Sequence, residues 1–146
     1  MKKFFLFVAA IAITSISFAQ PAQHNTADSV VIFKEKTYNF GKIKQSVTVK
    51  HDFVFTNISN APVIIESAVA SCGCTTPVKP EGAIAAGKTD KLTAGFSAPS
   101  VGQFNKTITV KFSTAAIPVQ LTITGEVLSA DDYTKYKTAQ PAKSGS

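Results

Sequence analysis

The stretch IPVQLTITGEV, residues 117–127, alternates between apolar and polar side chains along its whole length. Its odd-numbered residues are apolar or glycine, and its even-numbered residues, apart from Pro118, are Gln, Thr or Glu. Successive side chains of a β-strand point to opposite faces of a sheet, so a period of two predicts a strand with one buried face and one solvated face. This pattern is typical of antiparallel sheets. We therefore expect an all-β protein.

Further strands are predicted in other parts of the chain, with turn residues between them. Residues 47–56 and 104–112 alternate in the same way, and Asn, Pro and Gly separate the apolar runs. Less regular strands are expected at residues 30–33, 37–40, 63–69 and 91–97. About seven short antiparallel strands predict an immunoglobulin-like β-sandwich, with a small barrel as the alternative. The chain has no tryptophan and only two close cysteines, which excludes an antibody-type domain.

The N-terminus has the composition of a secretory signal peptide. Lys2 and Lys3 precede an uncharged apolar run, and the small residues Ser17 and Ala19 follow it. We expect cleavage after Ala19, so that residues 1–19 are a signal peptide and the protein is exported. The predicted organisation is then a flexible stretch at 20–29, one sandwich domain at 30–128 and a disordered tail at 129–146.

The basic residues do not indicate nucleic-acid binding. The formal net charge of +6 falls to +4 when the two lysines of the signal peptide are removed, and the chain contains no arginine. Arginine is the residue that makes most bidentate contacts with bases and phosphates. The lysines are also scattered along the predicted strands, where they form ordinary solvated faces. We expect neither a nucleic-acid partner nor a membrane span in the mature chain.

Six motifs, taken in order, resemble a known family. They are YNFGKI (38–43), VKHDFVFTNISNAPVII (49–65), SCGCTTP (71–77), AGK (86–88), GQFNKTITV (102–110) and LTITGEV (121–127). This order resembles the domain-of-unknown-function 1573 family of exported proteins of Gram-negative bacteria. It is more distantly similar to immunoglobulin-like domains of the ASPM/SPD-2/hydin and major-sperm-protein type. The resemblance covers about residues 33–128 and implies a sandwich located in the periplasm or outside the cell, but it implies no activity.

Few residues are candidates for catalysis. His24 lies in the polar N-terminal stretch, and His51 shares a predicted face with Phe53, which favours a half-buried histidine bonded to a backbone carbonyl. Asp52 and Glu66 are expected on outward faces, and neither has a second carboxylate in a recognisable motif. We therefore predict no catalytic residues, no cofactor and no enzymatic activity.

Cys72 and Cys74 are separated only by Gly73 and are flanked by Ser71 and Thr75. An exported pair can be oxidised, and Gly73 can bend enough to bring the two sulfurs together, although such a bridge is expected to be strained and reducible. Two thiolates are too few for structural zinc but suit copper(I). The third interpretation is a turn without chemistry. All three remain open: a disulfide or redox-sensitive pair, a copper(I) site, and a structural turn that needs Gly73.

Two functional hypotheses follow from these observations. The first is an exported, non-enzymatic immunoglobulin-like module that binds another protein or a component of the cell envelope, or has a purely structural role there. The alternative is a periplasmic thiol-redox or copper(I)-handling protein that uses Cys72-Gly73-Cys74. The two differ in whether the cysteine pair is accessible and reactive or buried beside apolar side chains.

Overall fold

The structure, a computed structural model, describes residues 26–139. The predicted signal peptide, residues 20–25 with His24, and residues 140–146 lie outside this range. Eight strands and one α-helix follow one another along the described chain, after a short 3₁₀ helix at Ala27–Ser29. They are β1 (Val31–Phe33), β2 (Thr37–Lys44), β3 (Val49–Asn57), β4 (Ile65–Ala70), β5 (Thr75–Val78), β6 (Thr89–Phe96), β7 (Gly102–Phe112), β8 (Val119–Leu128) and α1 (Ala130–Ala139).

The strands form two four-stranded sheets. Sheet I has the order β1-β3-β6-β5, and sheet II has the order β2-β8-β7-β4. The prediction of an all-β sandwich is confirmed, with two differences. Strand β5 is an eighth strand, which sequence inspection missed because it has only four residues and contains Pro77. The pairing of β2 with β8 is parallel, whereas every other neighbouring pair of strands is antiparallel.

The core lies between the two sheets and follows the predicted alternation. In β8, Leu121, Ile123 and Val127 are buried, while the threonines between them are only partly covered. The largest fully buried side chains come from both sheets: Phe53, Phe55, Phe112, Ile65, Leu92 and Ile108. Burial of a side chain of this size stabilises a fold by about 1.5–3 kcal/mol, so the alternating strands supply most of the stability.

Both ends of the domain are more ordered than the sequence predicts. Ala27 is buried, and its N–H donates to the carbonyl of Ile117, so part of the stretch expected to be flexible packs against the sandwich. Residues 130–139, which were expected to belong to a disordered tail, form α1. The Ser129 hydroxyl caps this helix by accepting a hydrogen bond from the N–H of Asp132. No residue of α1 is buried, and its sequence accordingly lacks the apolar periodicity that would predict a packed helix.

Candidate functional site

The cysteine pair lies on the connection between the two sheets. Strand β4 is an edge of sheet II and β5 is an edge of sheet I, so the intervening residues 71–74 cross from one sheet to the other. The N–H of Ser71 donates to the carbonyl of Thr107 at 2.8 Å, and the N–H of Thr107 donates to Ser71 Oγ at 3.1 Å. On the other side, the N–H of Ser97 donates to the carbonyl of Cys74 at 3.0 Å. The crossover is therefore anchored to both sheets.

Cys72 and Cys74 are joined by a disulfide, and their Cα atoms are 5.3 Å apart. Both residues are half-buried, but only Cys74 packs against the hydrophobic core. Thr75 is buried, and its Oγ1 lies 3.6 Å from Cys72 Sγ. In the disulfide neither sulfur is a thiolate, which is the form of cysteine that binds metal ions. Residues 26–139 contain no group of three or more side chains that could hold a metal ion.

The expected need for glycine between the cysteines does not agree with the structure. Gly73 has no positive φ, and no atom lies within 4 Å of the position that a Cβ would occupy. The N–H of Thr75 donates to the carbonyl of Cys72, so an ordinary turn brings the two cysteines together. A Cβ therefore fits at this position, and the prediction that Gly73 is required because a Cβ would resist the bend is wrong.

His51 is half-buried, as expected, but its partners differ from the prediction. Its ring stacks on Tyr38 with 3.5 Å between ring centroids and an angle of 6° between the planes. Nε2 lies 3.0 Å from Glu35 Oε1 without the geometry of a hydrogen bond, and this buried nitrogen has no other partner. The sequence pattern could not reveal Glu35, because it lies in the connection between β1 and β2. Strand β6 separates β3 from β5, so the fold does not bring His51 to the cysteine pair.

The two outward carboxylates take part in surface ion pairs. Asp52 Oδ2 lies 2.6 Å from Lys91 Nζ, and Glu66 Oε2 lies 2.8 Å from Lys111 Nζ. The hydrogen bond from Lys91, and then that from Thr93, lowers the pKa of Asp52 from its ordinary value of 3.8. Exposed pairs of this kind contribute little to stability. The described residues place no second carboxylate beside Asp52 or Glu66 that would form a general acid and base pair.

The edges of the two sheets differ in how well they are protected. Strand β1 has three residues, β5 contains Pro77, and the pairing of β2 is interrupted by a bulge at Gly41. Short strands, prolines and bulges are the usual means of preventing pairing at an edge. Strand β4 has an irregularity near Glu66, but its pairing with β7 is regular from Ser67 to Ala70 and continues through the hydrogen bond of Ser71.

Similar solved structures share the fold at low sequence identity. The PapD-like domain 7 of human CEP192 superimposes with a TM-score of 0.60 and 11% identity, over 84% of this chain and 99% of that domain. A protein of unknown function from Porphyromonas gingivalis W83 gives a TM-score of 0.58 and 14% identity, over 66% of this chain and 46% of that one. The VesB protease of Vibrio cholerae gives 0.54 and 11%, over 70% of this chain and 33% of the protease. These likenesses show the fold alone, and no curated protein matches the chain.

The family assignment rests on the sequence. Residues 31–127 match the family described as "Protein of unknown function (DUF1573)", which spans every strand from β1 to β7 and all but the last residue of β8. The matched range includes the crossover with its disulfide, His51 with its neighbours Tyr38 and Glu35, and strand β4. The immunoglobulin-like and PapD-like neighbours agree with the resemblance noted in the sequence. The chain belongs to the DUF1573 family.

Proposed function

We propose that this protein is an exported, non-enzymatic immunoglobulin-like module of the cell envelope that binds a partner protein at the β4 edge. The observation that carries the proposal is that the regular pairing of β4 runs from Ser67 to Ala70 without a proline or an interrupting bulge, whereas regular pairing within β1 and β2 covers no more than three consecutive residues and β5 contains Pro77. An unprotected edge can accept an extended segment of another chain as an additional strand.

The backbone of β4 provides the hydrogen-bonding groups for such a strand. In an antiparallel pair, successive residues direct their N–H and C=O groups alternately toward the neighbouring strand and away from it. The N–H of Ser71 points to β7, where it donates to Thr107. By this alternation Ala68 and Ala70 direct their backbone groups away from β7. These groups are the donors and acceptors for an added strand.

The side chains of this edge also favour an apolar contact. Val69 is 62% exposed, and no large apolar side chain within residues 26–139 is more exposed. The only charged residue of β4 is Glu66, and it is paired with Lys111. Natural edges that avoid pairing commonly carry lysine, and β4 has none. The partner that fits this edge is an extended, uncharged polypeptide segment with a small apolar side chain facing Val69.

Export is supported by the N-terminal sequence and by the disulfide. Residues 1–19 have the charge and apolar pattern of a signal peptide. Disulfides persist in oxidising compartments outside the cytosol, and both cysteines of the chain are paired. No helix within residues 26–139 is long and apolar enough to cross a membrane.

The Val69→Lys variant tests the binding proposal. A lysine at this position places a charge on the edge and should abolish capture of the partner from envelope extract. Val78→Lys is the matched control, because Val78 is 60% exposed and lies on the edge that Pro77 interrupts. The captured protein should protect the amides of Ala68 and Ala70 from hydrogen exchange. Circular dichroism should show that both variants are folded. An equal loss of partner capture in the two folded variants would refute binding at β4.

A further inference from the structure

We propose that Cys72 and Cys74 form a thiol–disulfide exchange site that reacts with a dithiol of a partner protein. Cys72 is the sulfur that is attacked, and Cys74 is the leaving group. This proposal goes beyond the binding function above and does not depend on it, because the exchange needs access only to the crossover and not to the β4 edge.

The first argument concerns access to the two sulfurs. The disulfide lies on the connection between sheets, where Ser71 and Gly73 are exposed. The open space beside Gly73 leaves room for another chain to approach. Of the two cysteines, only Cys74 packs against the core. An attacking thiolate therefore meets less obstruction at Cys72 Sγ than at Cys74 Sγ.

The second argument concerns the charge that Cys72 carries after reduction. The buried hydroxyl of Thr75, 3.6 Å from Cys72 Sγ, can donate a hydrogen bond to a thiolate at that position. A hydroxyl that donates a hydrogen bond to a thiolate favours the thiolate form of cysteine.

The exchange proceeds in two steps. A thiolate of the partner attacks Cys72 Sγ and forms a mixed disulfide, while the bond between Cys72 and Cys74 breaks and its electron pair goes to Cys74 Sγ, which takes a proton from water. The second thiolate of the partner then attacks the partner sulfur that is bonded to Cys72 in the mixed disulfide. This closes a disulfide in the partner and releases Cys72 as a thiolate, which is protonated in turn. Two electrons have passed from the partner dithiol to the cysteine pair.

The fold can carry both oxidation states. The loop closed by the disulfide contains only Gly73, so the bridge constrains the unfolded chain weakly and its loss costs little stability. The backbone hydrogen bonds of Ser71 to Thr107 and of Ser97 to Cys74 do not involve the sulfurs. The crossover therefore keeps its anchors when the disulfide is reduced.

Single-cysteine variants test the assignment of the two sulfurs. An aromatic disulfide reagent under native conditions should react with Cys72 in the Cys74→Ser variant at least about threefold faster than with Cys74 in the Cys72→Ser variant, because Cys72 Sγ is less obstructed and Thr75 Oγ1 can donate a hydrogen bond to its thiolate. Adding Thr75→Val to the Cys74→Ser variant should slow the reaction of Cys72 and raise the pH at which its rate is half-maximal. With Thr75→Ser in its place, both the rate and this pH should return to the values of the Cys74→Ser variant. Val69→Lys, combined with Cys74→Ser, should leave the rate unchanged, which separates this site from the β4 edge.

The unmodified protein provides the second readout. Dithiothreitol should open the disulfide in native buffer while the far-ultraviolet circular dichroism stays constant, and two thiols should then titrate. A mixed disulfide with a dithiol peptide should form at Cys72, identified by mass spectrometry after rapid alkylation. Equal rates for the two single cysteines, a faster Cys74, or a disulfide that resists dithiothreitol until the protein unfolds would overturn the proposal.

Discussion

Gly125 is the glycine on which the packing of the sandwich depends. It occupies an inward position of β8, and a Cβ there would lie 2.8 Å from both the carbonyl oxygen of Gly41 and Cε1 of Phe104. The Phe104 ring cannot move away easily, because it stacks on Phe96 with 4.2 Å between centroids. The aromatic ring thus fills the space that a side chain of β8 would take. This packing could not be predicted from the sequence, in which only Gly73 stands out because it lies between cysteines.

The Gly125→Ala variant should therefore be clearly less stable than the natural protein. Overpacking of a filled core costs about 1–3 kcal/mol, measured here as the free energy of unfolding in urea. Gly73→Ala is the matched control and should change that free energy by less than about 0.5 kcal/mol, as exposed substitutions usually do. Similar losses in both variants would contradict the packing described around Phe104.

Asp52 makes a contribution to stability that depends on pH. Its pKa is lowered in the folded protein, first by the hydrogen bond from Lys91 and then by that from Thr93. A carboxyl with a lowered pKa stabilises the fold above its unfolded value, near 3.8, and this contribution is lost as the pH falls through the folded pKa. Asp52→Asn should therefore lower the melting temperature slightly at neutral pH, and the difference from the natural protein should disappear in strong acid. A difference that stays constant across this range would exclude the ionised carboxylate as its cause.

Helix α1 is an element held mainly by local interactions. Ser129 caps its first turn, and the hydroxyls of Thr134 and Thr138 bond to backbone carbonyls of the preceding turn. Its contact with the sandwich includes Lys42, whose ammonium group lies 5.1 Å from the ring centre of Tyr136. Since no side chain of α1 is buried, the helix adds little to the core.

Ending the chain at Leu128 should thus leave the fold intact. We expect the free energy of unfolding to change by no more than about 1 kcal/mol, since no residue of α1 is buried. Ending the chain at Gln120 removes the buried Leu121, Ile123 and Val127, each worth about 1.5–3 kcal/mol, and should abolish folding in a domain of about 5–15 kcal/mol. Urea denaturation of both truncated proteins checks this, and a fully unfolded first variant would mean that α1 is part of the folding unit.

Strands were predictable to the extent that they alternate. The long strands β3, β7 and β8 show a period of two because one face is buried and the other is wet. Strand β5 could not be found in this way, since four residues with a proline resemble a loop. The β4 edge was not predictable either, because protection of an edge depends on which strands become neighbours, and this is decided by tertiary pairing.

At the scale of the whole molecule, the fold followed from the sequence, but the surroundings of the cysteine pair did not. The order of motifs indicated the family, and the match over residues 31–127 confirms it. The sequence could not show that Thr75 lies beside Cys72 or that Glu35 approaches His51, because these contacts depend on turns and on the packing of separate elements.

Processing at the N-terminus is the prediction that concerns the protein as a whole. Exported protein should begin at Gln20, because Ser17 and Ala19 are the small residues that signal cleavage requires. Intact-mass measurement of protein recovered from outside the cytosol checks this directly. Replacing Ala19 with a bulky residue, as in Ala19→Phe, should block cleavage and provides the control. Recovery of exported material that retains residues 1–19 would show that the segment is not removed.

The parallel pairing of β2 with β8 has a consequence for how the chain is made. Residues 37–44 find their partners only at residues 122–128, and β8 also pairs along β7 as an inner strand of sheet II. A ribosome delivers the N-terminal end first, so sheet II stays without this strand until residues 119–128 have been synthesised. Such distant pairings give a high contact order and slow folding. Sheet II therefore closes late, and this property suits the proposed export, because an unfolded chain is the form that passes through a narrow translocation channel.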